Sequence, residues 1–175
     1  DAFMAALAIY MMVVDGEASP QIACLANSRD QARILFDYID KFSRGLDPKE
    51  GLIKHYRNYI DLKSNGGSVK VYSADASTLD GLNVSMGVID EFHEAKDRKL
   101  YDVIKSSMGM RTQPLMVIIT TAGFNLESPC HDMYKLGVEI LGGVKTDDTF
   151  FPFIFQMDDE DDIDDPKNWF KCQPN

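Results

Sequence analysis

Two patterns of apolar positions alternate along the chain. Gln21 to Ala26, Met86 to Asp90 and Leu115 to Thr121 are apolar at nearly every position, which predicts short strands buried on both faces, as in parallel sheets. Between them the apolar residues recur at helical spacing. Ser28 with Gln31 three residues on forms a capping-box pattern, and Ala32, Leu35, Phe36 and Ile39 supply the apolar face of the helix it opens, with the signal fading at Gly45 to Pro48. A helix is predicted over Asp97 to Met108, and Ser128-Pro129 is an N-cap with Pro at the first helical position, opening a helix to about Leu141. Ile53 to Asp61 and Ser68 to Ser73 are predicted strands around the Ser64-Asn65-Gly66-Gly67 turn, a hairpin or edge addition, and Phe150 to Gln156 a last apolar strand. Strand and helix in alternation predict an α/β fold with a mainly parallel sheet, the Met86 and Leu115 strands adjacent at its centre and their carboxyl ends on one edge.

Composition narrows the class. A chain of 175 residues with 45% hydrophobic content suits one domain with a substantial core. No apolar run approaches the roughly 20 residues of a membrane span. Phe3 to Val14 is short and has neither a basic start nor a cleavage site, so a core helix is expected, with Met4, Met11 and Met12 as packing residues. The net charge of −10 comes mostly from seven acids between Asp158 and Asp165, without which it is −3. That run lacks the sixth-position Gly and twelfth-position Glu of a calcium loop, and a solvated, mobile segment is expected. There is no basic stripe of the kind that binds phosphate backbones. Cys24, Cys130 and Cys172 have neither metal-ligand spacing nor a disulfide framework, which suits a reducing cytoplasmic setting.

The candidate chemistry lies where the strands end. An Asp-Glu pair at the carboxyl end of a buried strand has a known use in nucleotide hydrolysis: the first acid holds Mg²⁺ and the second orients or deprotonates the attacking water. The plain alternative is a surface acid pair closing an ordinary strand. Asp90 and Glu91 are that pair. Thr120, Thr121 and Gly123 end the next apolar run; hydroxyls there can bond a γ-phosphate or a water, and the glycine permits a backbone switch. His93-Glu94 fails as a zinc motif because position 97 is Asp. His93 itself suits either nucleotide sensing or packing, and His55 and His131 are expected to be structural or surface residues.

Four segments carry a family resemblance across essentially the whole chain: Ala23 to Ala32, Ser73 to Asn83, Val88 to Glu94, and Arg111 to Leu115 running into Thr120-Thr121-Ala122-Gly123. In this order they resemble terminase large subunits, the DNA-packaging motors of tailed double-stranded DNA phages and prophages. The resemblance implies a RecA-like, additional-strand P-loop NTPase core, incomplete at its N-terminus, with ATP hydrolysis driving DNA into the procapsid. It implies Mg²⁺ and ATP as cofactors of the full-length protein, Asp90 as metal ligand, Glu91 as catalytic carboxylate, and Thr120, Thr121 and Gly123 as the segment coupling hydrolysis to movement. Implied partners are double-stranded DNA, the small terminase subunit and the portal protein, with a homo-oligomer assembled on the procapsid in the host cytoplasm and no membrane.

The departures from the family pattern matter equally. No Gly-x-x-x-x-Gly-Lys-Ser/Thr phosphate loop occurs; in the family it lies just upstream of a helix resembling Asp1 to Val14. The expected organisation is therefore a partial ATPase domain over residues 1–156, with an acidic segment and the start of a linker toward a nuclease domain over 157–175. Such a fragment is expected to be inactive alone and to hold no nucleotide tightly. An arginine finger is assigned by position only, to Arg111 or Arg98. Two other readings stand beside this one. Asp90-Glu91-Phe92-His93 fits the Asp-Glu-x-His pattern of helicase-like ATPases, which would need a second RecA-like domain, and the missing loop suits a non-catalytic prophage remnant or interaction domain.

Overall fold

The computed structural model describes residues 1–73, 79 and 81–173. Ala74 to Thr78 and Asp80, part of one resemblance segment, lie outside the described residues, as do Pro174 and Asn175. The single domain expected from length resolves into two compact units, Asp1–Cys130 and His131–Asn175.

The first unit is built on a six-stranded sheet. Its strands are β1 (Gln21–Ala26), β2 (Ile53–His55), β3 (Tyr59–Leu62), β4 (Gly67–Ser73), β5 (Met86–Asp90) and β6 (Leu115–Ile119), in the order β2-β3-β4-β1-β5-β6. β4, β1, β5 and β6 are mutually parallel, while β2 and β3 add an antiparallel margin. Register aligns Ala26 with Asp90 and Asp90 with Ile119, so three parallel strands end level on one edge.

Helices α1 (Ala2–Val13), α2 (Arg29–Leu46) and α3 (Lys99–Ser107) cover the sheet. Side chains alternate between the faces of a strand, and β5 shows the result. Met86 and Val88 join the core formed by Ala5, Ala8 and Met12 of α1 with Leu35, Phe36 and Ile39 of α2. Gly87 faces the opposite way, where an added Cβ would stand 2.8 Å from Ile104 of α3. The small residue lets α3 lie close against the strand that carries the acid pair. Full burial of Leu35, Phe36 and Ile39 stabilises the unit by about 1.5–3 kcal/mol each. The capping box is present as the sequence predicts: Gln31 N–H donates to Ser28 Oγ, and Ser28 N–H donates to Gln31 Oε1. So is the turn before β4, where Asn65 Oδ1 accepts from Gly67 N–H at 2.8 Å and Gly66 takes φ +72°.

Several expectations need correction. The strand predicted over Ile53 to Asp61 is two strands joined by a tight turn over 56–58, closed by Tyr56 N–H donating to Tyr59 O at 2.9 Å; its exposed Arg57 and Asn58 interrupt the apolar run. β5 and β6 are adjacent as expected, but β6 is the outermost described strand and not central, and Thr120 and Thr121 follow it. The helix predicted over Asp97 to Met108 is two residues shorter at its start and one at its end.

In the second unit, α4 (Pro129–Leu141) begins within the first unit's last residues and has the predicted bounds. Phe150 to Gln156 is not a strand. Pro152 and Ile154 stand beside Gly137 of α4 while Phe151, Phe153 and Phe155 are exposed; the alternation is that of a strand, but among the described residues no ladder partner takes up its backbone. The acidic run is not merely solvated. Lys171 Nζ sits 2.7 Å from carboxylate oxygens of both Asp158 and Asp161, and Asp165 caps the short helix α5 (Pro166–Trp169). Among the described residues no helix is long and apolar enough to cross a membrane.

Candidate functional site

The carboxyl edge of the parallel strands gathers most of the candidate residues. Asp90 is the last residue of β5. Glu91 then takes a left-handed conformation, φ 52° and ψ 48°, before a single 3₁₀ turn over Phe92–Glu94. That conformation costs a residue with a Cβ about 1–2 kcal/mol. It is held by buried Phe92 and by the backbone N–H of His93, which donates to Thr120 Oγ1 at 2.9 Å. Strain kept in place by its surroundings is a common mark of functional sites.

The two acids differ in environment. Asp90 is half-buried, and its carboxyl pKa is raised, first by burial and then by the charge of Glu91; the Glu91 N–H, donating at 3.0 Å, works the other way. No lysine or arginine among the described residues pairs with it. Oε2 of Glu91 is shut off from solvent and makes no aligned hydrogen bond, although His93 Nδ1 lies 3.1 Å away. A half-buried carboxylate lacking a cation, beside an orphaned carboxylate oxygen, fits a divalent ion. One or two carboxylates are the protein's usual share of a Mg²⁺ site, the rest coming from substrate phosphates.

His93 joins the two strand ends. Its Nδ1 lies 3.1 Å from Glu91 Oε2, 3.2 Å from Thr120 Oγ1 and 3.4 Å from Thr121 Oγ1. One ring nitrogen therefore faces an acid and two hydroxyls, and its tautomer decides which of them it serves. Thr120 donates to the Thr121 carbonyl at 2.9 Å. Gly123 packs against the same imidazole: an added Cβ would meet His93 Cβ at 2.9 Å. The glycine answers to close approach here, a reason distinct from the backbone freedom expected of it.

The two arginine candidates lie apart. Arg111 precedes β6 on the opposite, amino edge of the sheet and is nearly buried. Its guanidinium donates to the carbonyls of Ala18 (2.7 Å), Ser19 (3.1 Å) and Asn83 (2.9 Å) and stands 3.6 Å from Glu17. Glu17 in turn accepts from the N–H groups of Gln113 and Thr112, and these bonds, with the charge of Arg111, hold its carboxyl below the ordinary range. Arg111 fastens the loops that enter three strands. Arg98 follows the 3₁₀ turn, is half exposed, and lies 3.7 Å from Asp102 and over the Tyr101 ring.

Sequence reasoning left His93 undecided and missed Gln31 altogether. While capping α2 with its oxygen, Gln31 donates from Nε2 to Glu94 Oε2 at 2.9 Å and so ties α2 to the turn after Glu91. Only its place in the capping box was legible. His55, by contrast, is structural: its side chain is fully buried, with Nδ1 2.8 Å from Asp40.

Residues 2–138 match the family model described as terminase large subunit, ATPase domain. The chain belongs to that family. Among curated proteins, Protein YmfN of Escherichia coli (strain K12) is 42% identical over 96 residues, which cover 55% of this chain and 21% of that protein. The crystal structure of the HK97 bacteriophage large terminase superposes with a TM-score of 0.82 at 20% identity, over 98% of this chain and 36% of that one. The large terminase of a thermophilic bacteriophage gives a TM-score of 0.58 at 13% identity, over 79% of this chain and 34% of that one. The terminase ATPase-domain chain described here thus spans about a fifth to just over a third of the length of these three relatives. At these identities the structural matches establish a shared fold, the mainly parallel sheet flanked by helices of terminase ATPase domains.

Proposed function

We propose that this chain is part of the ATP-hydrolysing motor that translocates phage or prophage DNA into the procapsid. In this reading residues 1–156 belong to the ATPase domain and residues 157–175 lead toward a nuclease domain. One observation carries it: adjacent parallel strands bring Asp90-Glu91 and Thr120-Thr121 to one edge, bridged by His93. Asp90 would hold Mg²⁺ and Glu91 would orient and deprotonate the attacking water. Bound Mg²⁺ supplies charge neutralisation on the β- and γ-phosphates. His93 holds Glu91 in reach of Thr120 and Thr121, so a change at the phosphate can be passed from one strand end to the next, with Gly123 packed behind the ring. Arg98 is the remaining candidate finger.

No residue set in the 175 positions matches a phosphate loop, so the chain alone is inactive in this reading and binds Mg²⁺-ATP no better than about millimolar, worth roughly 4 kcal/mol. DNA, the small subunit, the portal protein and further copies of the motor are the partners it implies. The test uses a full-length protein containing this chain. Glu91→Gln should keep nucleotide binding and lower turnover by orders of magnitude, whereas Asp90→Ala should also weaken Mg²⁺-dependent binding. Near-normal turnover in Glu91→Gln would move the catalytic role elsewhere.

A further inference from the structure

The sequence shows no basic stripe, yet the fold assembles a basic surface from separated segments. Arg29, Asp30 and Arg33 at the start of α2, with Arg57 and Asn58 from the turn between β2 and β3, line an open basin of about 490 Å³. The strand directions fix where it lies. β2 runs parallel to β1, because each of the β2–β3 and β3–β4 pairs is antiparallel and β4 is parallel to β1. The turn after β2 and the start of α2 after β1 therefore share the edge that carries Asp90 and Glu91.

Three arginines face one acid in the basin of a chain with net charge −10. Arg33 is positioned by Asn58 Oδ1 at 3.2 Å and Asp37 at 3.3 Å. Arg29 and Arg57 are exposed, and among the described residues neither has a hydrogen-bond or ion-pair partner. Beside them Tyr56 and Tyr59 stack on one another, ring centroids 4.2 Å apart, with both rings partly open to solvent. Guanidinium forks match phosphate oxygens in geometry as well as charge. Arg29 and Arg33 lie one helical turn apart, about 6 Å along α2, within reach of neighbouring phosphates on one strand.

We infer that this basin holds the phosphate backbone of duplex DNA, a step that rests on the packaging-motor reading above. Arg29 and Arg57 make the contacts, Arg33 and Asn58 shape the floor, and Asp30 limits the affinity so that the grip can be released. Gln31, between Arg29 and Arg33, is bonded to Glu94 in the turn after Glu91. The helix that carries two of the basin arginines is thus tied by one hydrogen bond to the turn that follows the acid pair.

Binding of a fluorescent duplex to the intact protein, by anisotropy at several salt concentrations, tests the inference. Each lost phosphate contact removes about 0.9 from the slope of log affinity against log salt. Arg29→Ala/Arg57→Ala should therefore flatten the slope by about 2 and weaken binding by roughly tenfold per arginine near 100 mM salt, for any duplex sequence. Arg29→Lys/Arg57→Lys should retain most of the affinity, and Asp30→Asn should raise it. An unchanged slope in the alanine double variant overturns the inference. So does loss of self-association with DNA affinity intact, which would make the basin a seat for an acidic surface of a second copy. Glu91→Gln separates this step from the reading beneath it. If only the basin is misassigned, Glu91→Gln lacks turnover while the arginine variants bind DNA normally; if only the hydrolytic assignment is wrong, Glu91→Gln turns over while the arginine variants still lose DNA.

Discussion

Replacing Arg111 with alanine should damage the fold rather than the chemistry. The guanidinium binds three carbonyls, of Ala18, Ser19 and Asn83, and faces Glu17, with its side chain 5% exposed. Net contributions of hydrogen bonds from charged donors run about 1.5–3 kcal/mol and do not add fully; the loss of one member of a nearly buried ion pair falls at about 3–5 kcal/mol. A destabilisation of about 3–4 kcal/mol is the outcome both figures support. With a urea slope of about 2 kcal/mol per molar, the unfolding midpoint should fall by about 1.5–2 M. Arg111→Lys should lie between, because an ammonium cannot span three carbonyls at fixed angles. An arginine finger behaves oppositely: its loss leaves the midpoint in place and removes turnover from the assembled motor. A midpoint shift under about 0.3 M for Arg111→Ala, with turnover lost in the full-length protein, would refute the structural assignment.

Two further outcomes follow from the same geometry. Glu17 has its carboxyl held below the ordinary value of 4.5, first by the N–H of Gln113, so its contribution to stability is fully present above that value and is lost as pH falls through the depressed one; the urea-midpoint gap between the native chain and Glu17→Gln should close in that acid window, and a gap that widens there would refute it. Glu91→Gly should raise stability by up to about 1 kcal/mol while removing turnover, because glycine relieves the left-handed strain at a smaller entropic cost; a lower melting temperature for this variant would show that the conformation is not strained.

What could be seen in the sequence was local. β1, the start of α2 and the bounds of α4 each rest on a strong nearby signal: a continuous apolar run, a Ser-Gln capping box, a proline at the first helical position. The adjacency of β5 and β6 was legible from two apolar runs joined by a helical crossover. The outer position of β6 was not, since sheet order depends on pairings distant in sequence. Phe150 to Gln156 has the alternation of a strand, but alternation describes only side chains, and a strand also needs a neighbour for its backbone. The His93 bridge and the arginine basin were hidden for a related reason. Arg33 and Asn58 are 25 positions apart, and His93 and Thr120 are 27; no spacing rule reaches that far. The left-handed Glu91 carries no sequence mark, because glutamate is not a residue that favours the conformation.

The two edges of the sheet treat charge differently. On the amino edge Glu17 and Arg111 satisfy each other and the surrounding backbone, which is how a fold holds charges it needs only for stability. On the carboxyl edge, among the described residues, Asp90 has no lysine or arginine partner, Glu91 keeps a buried oxygen without an aligned donor, and Arg29 and Arg57 make no ion pair. Among the described residues Asp90, Glu91, Arg29 and Arg57 share that edge without neutralising one another, while Arg33 is paired with Asp37; the side chain of Gln31 in α2 bonds Glu94. A fold selected for stability alone would gain by pairing the half-buried acids or moving them into water, whereas the exposed arginines carry no such cost. In the proposed reading, keeping the two signs apart leaves each free for an outside partner of the opposite sign, a divalent cation at the acids and a phosphate backbone at the arginines.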